Sequence, residues 1–181
     1  MAKIPDAKKK DELKTAQGAA YESALNYLKS IVDYSDSVIT DDYIITVAAE
    51  EAEGLFYADG PRQPLEWHEP SPDHDQHLEI AVQDKNDKRF IPELSITAEL
   101  FDDAGQSLGI KECPYLWHPY IFHYGSMWHI PKKGRYGVVV TIERPAFGRH
   151  DEILGKRYLE TVTVRLDNVQ LEPKRKPDGP E

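Results

Sequence analysis

Between Leu13 and Val32 the apolar residues Leu13, Ala16, Ala20, Tyr21, Ala24, Leu25, Leu28, Ile31 and Val32 recur at steps of three, four and one. This is helical spacing, and it predicts one amphipathic helix within 13–35. After residue 40 the period falls to two. The runs "YIITVAAE" (43–50), "HLEIAV" (77–82), "ELSITAELF" (93–101), "YGVVVTIE" (136–143) and "LETVTVRL" (159–166) read as strands. In the third, Leu94, Ile96, Ala98 and Leu100 face one way while Ser95, Thr97 and Glu99 face the other, which predicts a sheet with one wet face.

"DDAGQSLG" (102–109) and "PKKGRYG" (131–137) have the composition of hairpin turns. Strands joined by such turns, with no helices between them, predict an all-β chain: an antiparallel β-sandwich at 36–171 with an added N-terminal helix. The lysine-rich stretch 1–12 and the tail "EPKRKPDGPE" (172–181) offer little apolar surface to bury and are expected to be disordered. The loop 53–76 is long and rich in Pro, Asp and His, which marks it as a candidate functional loop.

The 181 residues suit one domain, and no run of 18 apolar residues is present, so no membrane span is expected. A formal charge of −10 argues against nucleic acid and anionic membranes as partners and favours a cationic ligand. The N-terminus "MAKIPDAKKKDELK" has no apolar stretch behind its lysines, so the chain as given is read without a secretory signal. The single cysteine, Cys113, is expected to be a buried small apolar residue.

The histidines change this picture. In "HLEIAV", a strand would project His77 and Glu79 to one face and Leu78, Ile80 and Val82 to the other. An imidazole and a carboxylate at i, i+2 suit one metal ion, although H-x-E alone is a common pattern. The segment "YLWHPYIFHYGSMWHI" (115–130) holds three of the seven histidines and two of the three tryptophans. Pro114 and Pro119 should break regular structure there, placing His118 and His123 on a loop entering or leaving a strand. The aromatics could equally form a core that merely contains those histidines. "RPAFGRHDE" (144–152) supplies a third histidine on a polar loop, a weak signal by itself.

Taken in order, "HLE" at 77–79, "HYG" at 123–125, "GRYGVVV" at 134–140 and "GRHD" at 148–151 resemble the periplasmic iron and copper binding proteins of bacterial iron-permease uptake systems, the P19/Tp34-like group. With "YIITVAAEEAEG" (43–54) as an opening strand, the likeness spans roughly residues 40–165. The resemblance implies an immunoglobulin-like sandwich whose metal site uses His77, Glu79, His123 and His150. It also implies an iron permease as partner, a homodimer and a periplasmic or extracytoplasmic location.

That family also places a methionine several residues before the H-Y-G histidine, with an acidic residue between them. Here the stretch reads "YLWHPYIF", with neither. His118 is the strong ligand available in the gap and is inferred to replace the methionine. The result would be a nitrogen- and oxygen-rich site for a transition metal ion such as Fe(II), Cu(II), Zn(II) or Mn(II). The aromatics are expected to wall that site. Met127 is a weaker candidate, and His68, His74 and His129 have no motif support.

Three functions compete on this reading. The first is a non-catalytic iron or copper binding protein for uptake or transport. The second is a small metalloenzyme using the same ligands. The third is a sandwich interaction module with incidental histidines.

Overall fold

The computed structural model describes residues 7–58 and 60–180. The expected disorder of 1–6 therefore lies outside the described residues, as does that of 181. The described residues open with helix α1 (Ala7–Ile31), which starts ahead of Leu13, so residues 7–12 are helical and not disordered as their composition suggested. Among the described residues eleven strands follow: β1 (Tyr34–Ile39), β2 (Tyr43–Glu50), β3 (Leu55–Tyr57), β4 (Glu66–His68), β5 (Gln76–Asp84), β6 (Ile96–Phe101), β7 (Ser107–Glu112), β8 (Tyr115–Trp117), β9 (Phe122–Trp128), β10 (Gly134–Ile142) and β11 (Val162–Leu171). A five-stranded sheet of order β1-β2-β5-β9-β8 packs against a four-stranded sheet of order β11-β10-β6-β7. All pairings in both sheets are antiparallel, which is the β-sandwich the alternating patterns predict.

The core lies between the sheets. Leu78, Ile80 and Val82 of β5 and Tyr124 and Trp128 of β9 meet Ala98 and Leu100 of β6 and Val138, Val140 and Ile142 of β10. Cys113 is buried in the same core. "DDAGQSLG" makes the expected β6–β7 hairpin, in which Asp102 Oδ1 accepts from the backbone N–H groups of Ala104 and Gln106. Gly105 takes a positive φ of 78° there, a conformation that favours glycine. "PKKGRYG" differs from expectation: it carries the chain from β9 in one sheet to β10 in the other, so it is a crossover and not a hairpin.

The outer face of the five-stranded sheet is not wet. All nine residues of β5 are buried, because two peripheral segments cover the side away from the core. Helix α1 lays Leu25 and Leu28 on Ala81, Phe90 and Ile121. The tail also folds back, unlike the disordered segment its composition suggested. Ala52 N–H donates to Lys174 O at 3.0 Å, Lys176 N–H to Ala52 O at 2.9 Å, and Lys174 N–H to Asp75 O at 2.6 Å. Backbone hydrogen bonds and surface ion pairs hold this segment, so it needs no apolar residues.

Candidate metal centre

The covered face of the five-stranded sheet carries the chemistry. On β2 the outward residues include Ala48 and Glu50; on β5, His77, Glu79 and Ala81; on β9, His123, Gly125 and Met127. Register sets Glu50 opposite His77, Ala48 opposite Glu79, Glu79 opposite Gly125 and His77 opposite Met127. The period of two that sends Leu78 and Ile80 to the core sends His77 and Glu79 to this side. His77, Glu79 and His123 are at most 2% exposed. Each offers a ligand atom, and these atoms lie within 4.8 Å of one another. The His77 and His123 ring centroids are 5.6 Å apart, and Glu79 Oε1 is 3.3 Å from His123 Nε2.

None of the four ring nitrogens of these histidines, and neither oxygen of Glu79, has a hydrogen-bond partner among the described residues. Buried polar atoms are normally satisfied, and leaving one bare costs about 1–3 kcal/mol. One donor atom from each of the three residues lies close to the others, and this buried, unsatisfied set fits a cation. The same environment splits the two imidazoles. Burial alone would lower the His77 pKa, but the carboxylates of Glu50 and Glu53, each 3.7 Å from Nδ1, and the charge of Glu79 push it up to about 9. Burial, then the charges of His77 and His118, take His123 down to about 3. Burial pushes Glu79 up to about 8, against the opposing pull of His77.

His118 joins from the edge. It follows β8 and, through its N–H to Ile121 O at 3.0 Å, closes the turn into β9. Its ring is half-buried, 6.1 Å from that of His123, and its Nδ1 has no partner among the described residues. His123 itself stands on strand β9 and not on a loop, paired with Leu116. The aromatics divide differently from the expected wall. Tyr124 and Trp128 point into the sandwich core, away from His123, and Trp117 is 81% exposed. Among the described aromatics Tyr120 packs on His118, with ring centroids 4.4 Å apart, and Tyr27 of α1 backs Tyr120 at 5.0 Å.

His150 is not brought to this cluster within its own chain. It is exposed in the loop after β10 and lines a separate cleft with Gln17, Tyr21, Asp84 and Phe147. Asp84 marks the far end of β5, seven residues from His77 or roughly 23 Å at ~3.3 Å per residue. The loop leaves the sandwich at the wrong end to meet His77.

Two residues that the motifs did not nominate as ligands lie at the site. Glu50 and Glu53 form a second group with His77, their ligand atoms again within 4.8 Å of one another. Glu50 had the right strand phase, but its pairing with His77 has no trace in the local sequence. Burial would raise the Glu53 pKa, yet His77 and the ammonium of Lys176 hold it at about 2. A cleft of about 370 Å³ reaches Glu53 and His77 from solvent past His68, His74 and Met127.

A two-sheet antiparallel sandwich with this strand order defines the β-sandwich class of the chain. Within it, FetP from uropathogenic E. coli aligns with a TM-score of 0.58 at 21% identity, covering 77% of this chain and 97% of FetP. Copper-reconstituted P19 from Campylobacter jejuni aligns with a TM-score of 0.58 at 20% identity, covering 79% of this chain and 96% of P19. The resemblance drawn from the motifs is borne out at the level of fold. No protein-family model matches the chain, and no curated protein matches it by sequence.

Proposed function

We propose that this protein is a non-catalytic binder of a transition metal ion, iron or copper, serving metal uptake or transport. His77, Glu79, His118 and His123 are the ligands drawn from one chain. The observation that carries this reading is the convergence of three buried side chains, His77, Glu79 and His123, each offering one unpartnered donor atom within 4.8 Å of the others. Nitrogen and carboxylate donors without a thioether suit divalent ions better than Cu(I).

The copper in the P19 structure and the periplasmic expression of FetP support a metal cargo and an extracytoplasmic location. An iron permease as recipient and a homodimer complete the proposal by the same likeness. His150, exposed on its own chain, enters the ligand set only across such a dimer. The test is metal analysis of the purified protein, followed by titration with Cu(II), Fe(II) and Zn(II). The wild type should retain metal and a His77→Ala/His123→Ala double variant should lose it. Equal binding by both would overturn the reading.

A further inference from the structure

The C-terminal tail places an ammonium at the mouth of the proposed site. Lys176 Nζ is 2.6 Å from Glu53 Oε2, and Glu53 Oε1 is 3.7 Å from His77 Nδ1. Glu50 Oε1 stands 3.7 Å from the same nitrogen. Acidic side chains often gather without binding a metal. What distinguishes these two is the base they share: His77 is 1% exposed, and neither of its nitrogens has a hydrogen-bond partner among the described residues. A buried imidazole with an unsatisfied nitrogen faces two carboxylates, one of which already holds a cation.

We propose that Glu50, Glu53 and His77 form an outer cation position beside the inner one of His77, Glu79 and His123, and that Lys176 fills it until a second metal ion displaces the tail. This rests on the proposed metal-binding function. Two carboxylates and one imidazole are a hard donor set, so the outer ion is of the oxygen-preferring divalent class, represented by Mn(II). Exchange is electrostatically favoured, because a divalent ion brings twice the charge of an ammonium to the same carboxylates. The released lysine side chain also regains rotamer freedom. Since His77 belongs to both groups, filling one position alters the other, and the tail is coupled to loading through Glu53.

The experiment is Mn(II) titration of the full chain, counting free ion by its electron paramagnetic resonance signal. Wild type is compared with Glu50→Gln, Glu53→Gln, Lys176→Gln and His123→Ala. Wild type should bind a second, weaker equivalent that Glu50→Gln and Glu53→Gln each lose. Lys176→Gln should tighten that equivalent about tenfold by removing the competing charge. His123→Ala should lose the inner equivalent and keep the outer. If either glutamate variant fails to fold by circular dichroism, Lys176→Gln still reports, because Lys176 is partly exposed on the tail. One equivalent in wild type, unchanged in Lys176→Gln, would overturn the outer position and leave the proposed function standing. No bound metal in any protein would overturn both.

Discussion

The imidazole of His77 lies over Gly125: a Cβ added there would sit 2.5 Å from His77 Nε2 and 3.1 Å from Leu116 Cδ1. The glycine of "HYG" is thus required by space. It lets His77 lean across β9 toward His123 on the same face. Gly125→Ala is expected to turn the ring aside and weaken metal binding about 10–100-fold, the usual cost of disturbing a ligand's orientation. Chelator competition on protein with an unchanged circular dichroism spectrum measures this. Wild-type affinity in the variant would mean that the ring's lean plays no part in binding.

Loading should expel protons from His77 and Glu79 and none from His123. At neutral pH the metal-free His77, with its pKa pushed up to about 9, holds a proton that a metal must displace, whereas His123 at about 3 is already neutral. Apparent affinity should therefore rise more steeply than tenfold per pH unit just above 7, where both groups hold protons, and about tenfold per unit from 8 toward 9, above the range set by an ordinary imidazole. Calorimetry in buffers of different ionisation enthalpy counts the protons.

Stability of the metal-free protein should run the opposite way. The folded pKa of His77 lies above its ordinary 6.5, so its contribution is full below about 6.5 and is lost as pH rises through about 9. Glu79, raised to about 8, adds to the same slope. Thermal melts should fall across that window without metal and flatten with it. A slope that survives in His77→Gln at full size would assign it to other groups.

The alternation in "HLEIAV" made the shared face of His77 and Glu79 legible, and the motif order made His123 a candidate. What hides that face was not legible. The tail covers it through the backbone of Ala52, Lys174 and Lys176, and such contacts leave no periodicity in side chains. Glu50 and His77 meet by strand register between segments 27 residues apart, which local pattern does not encode. His150 shows the converse. Its motif is present in order, but the end of the sandwich at which its loop emerges depends on topology and not on spacing.

His118 provides the test of ligand substitution. Burial lowers its pKa, so the ring is ready to bind as a neutral base, and Tyr120 and Tyr27 brace it from the helix side. His118→Ala should weaken Cu(II) and Zn(II) binding, and His118→Met should shift preference toward Cu(I), because a thioether favours the softer ion. Paired titrations with Cu(I) and Zn(II) decide this. Unchanged affinities in both variants would remove His118 from the ligand set.

Gly18 predicts a reversal of the usual helix rule. An interior Gly→Ala change in a helix ordinarily stabilises by roughly 0.5–1 kcal/mol, through backbone entropy. At Gly18 the new Cβ would lie 1.8 Å from the backbone oxygen of Asp87 and 2.9 Å from its carbonyl carbon. A side chain there would rotate away, but this is main chain. It is also pinned, since the N–H groups of Asn86 and Asp87 donate to Asp84 Oδ1 at 2.7 and 3.1 Å. Helix α1 must therefore lift from the sheet, at an overpacking cost of about 1–3 kcal/mol that exceeds the propensity gain. Urea unfolding of Gly18→Ala should show a net loss of stability of about 1 kcal/mol or more. A stabilised variant would mean that α1 docks on the 84–89 turn less closely than this geometry requires.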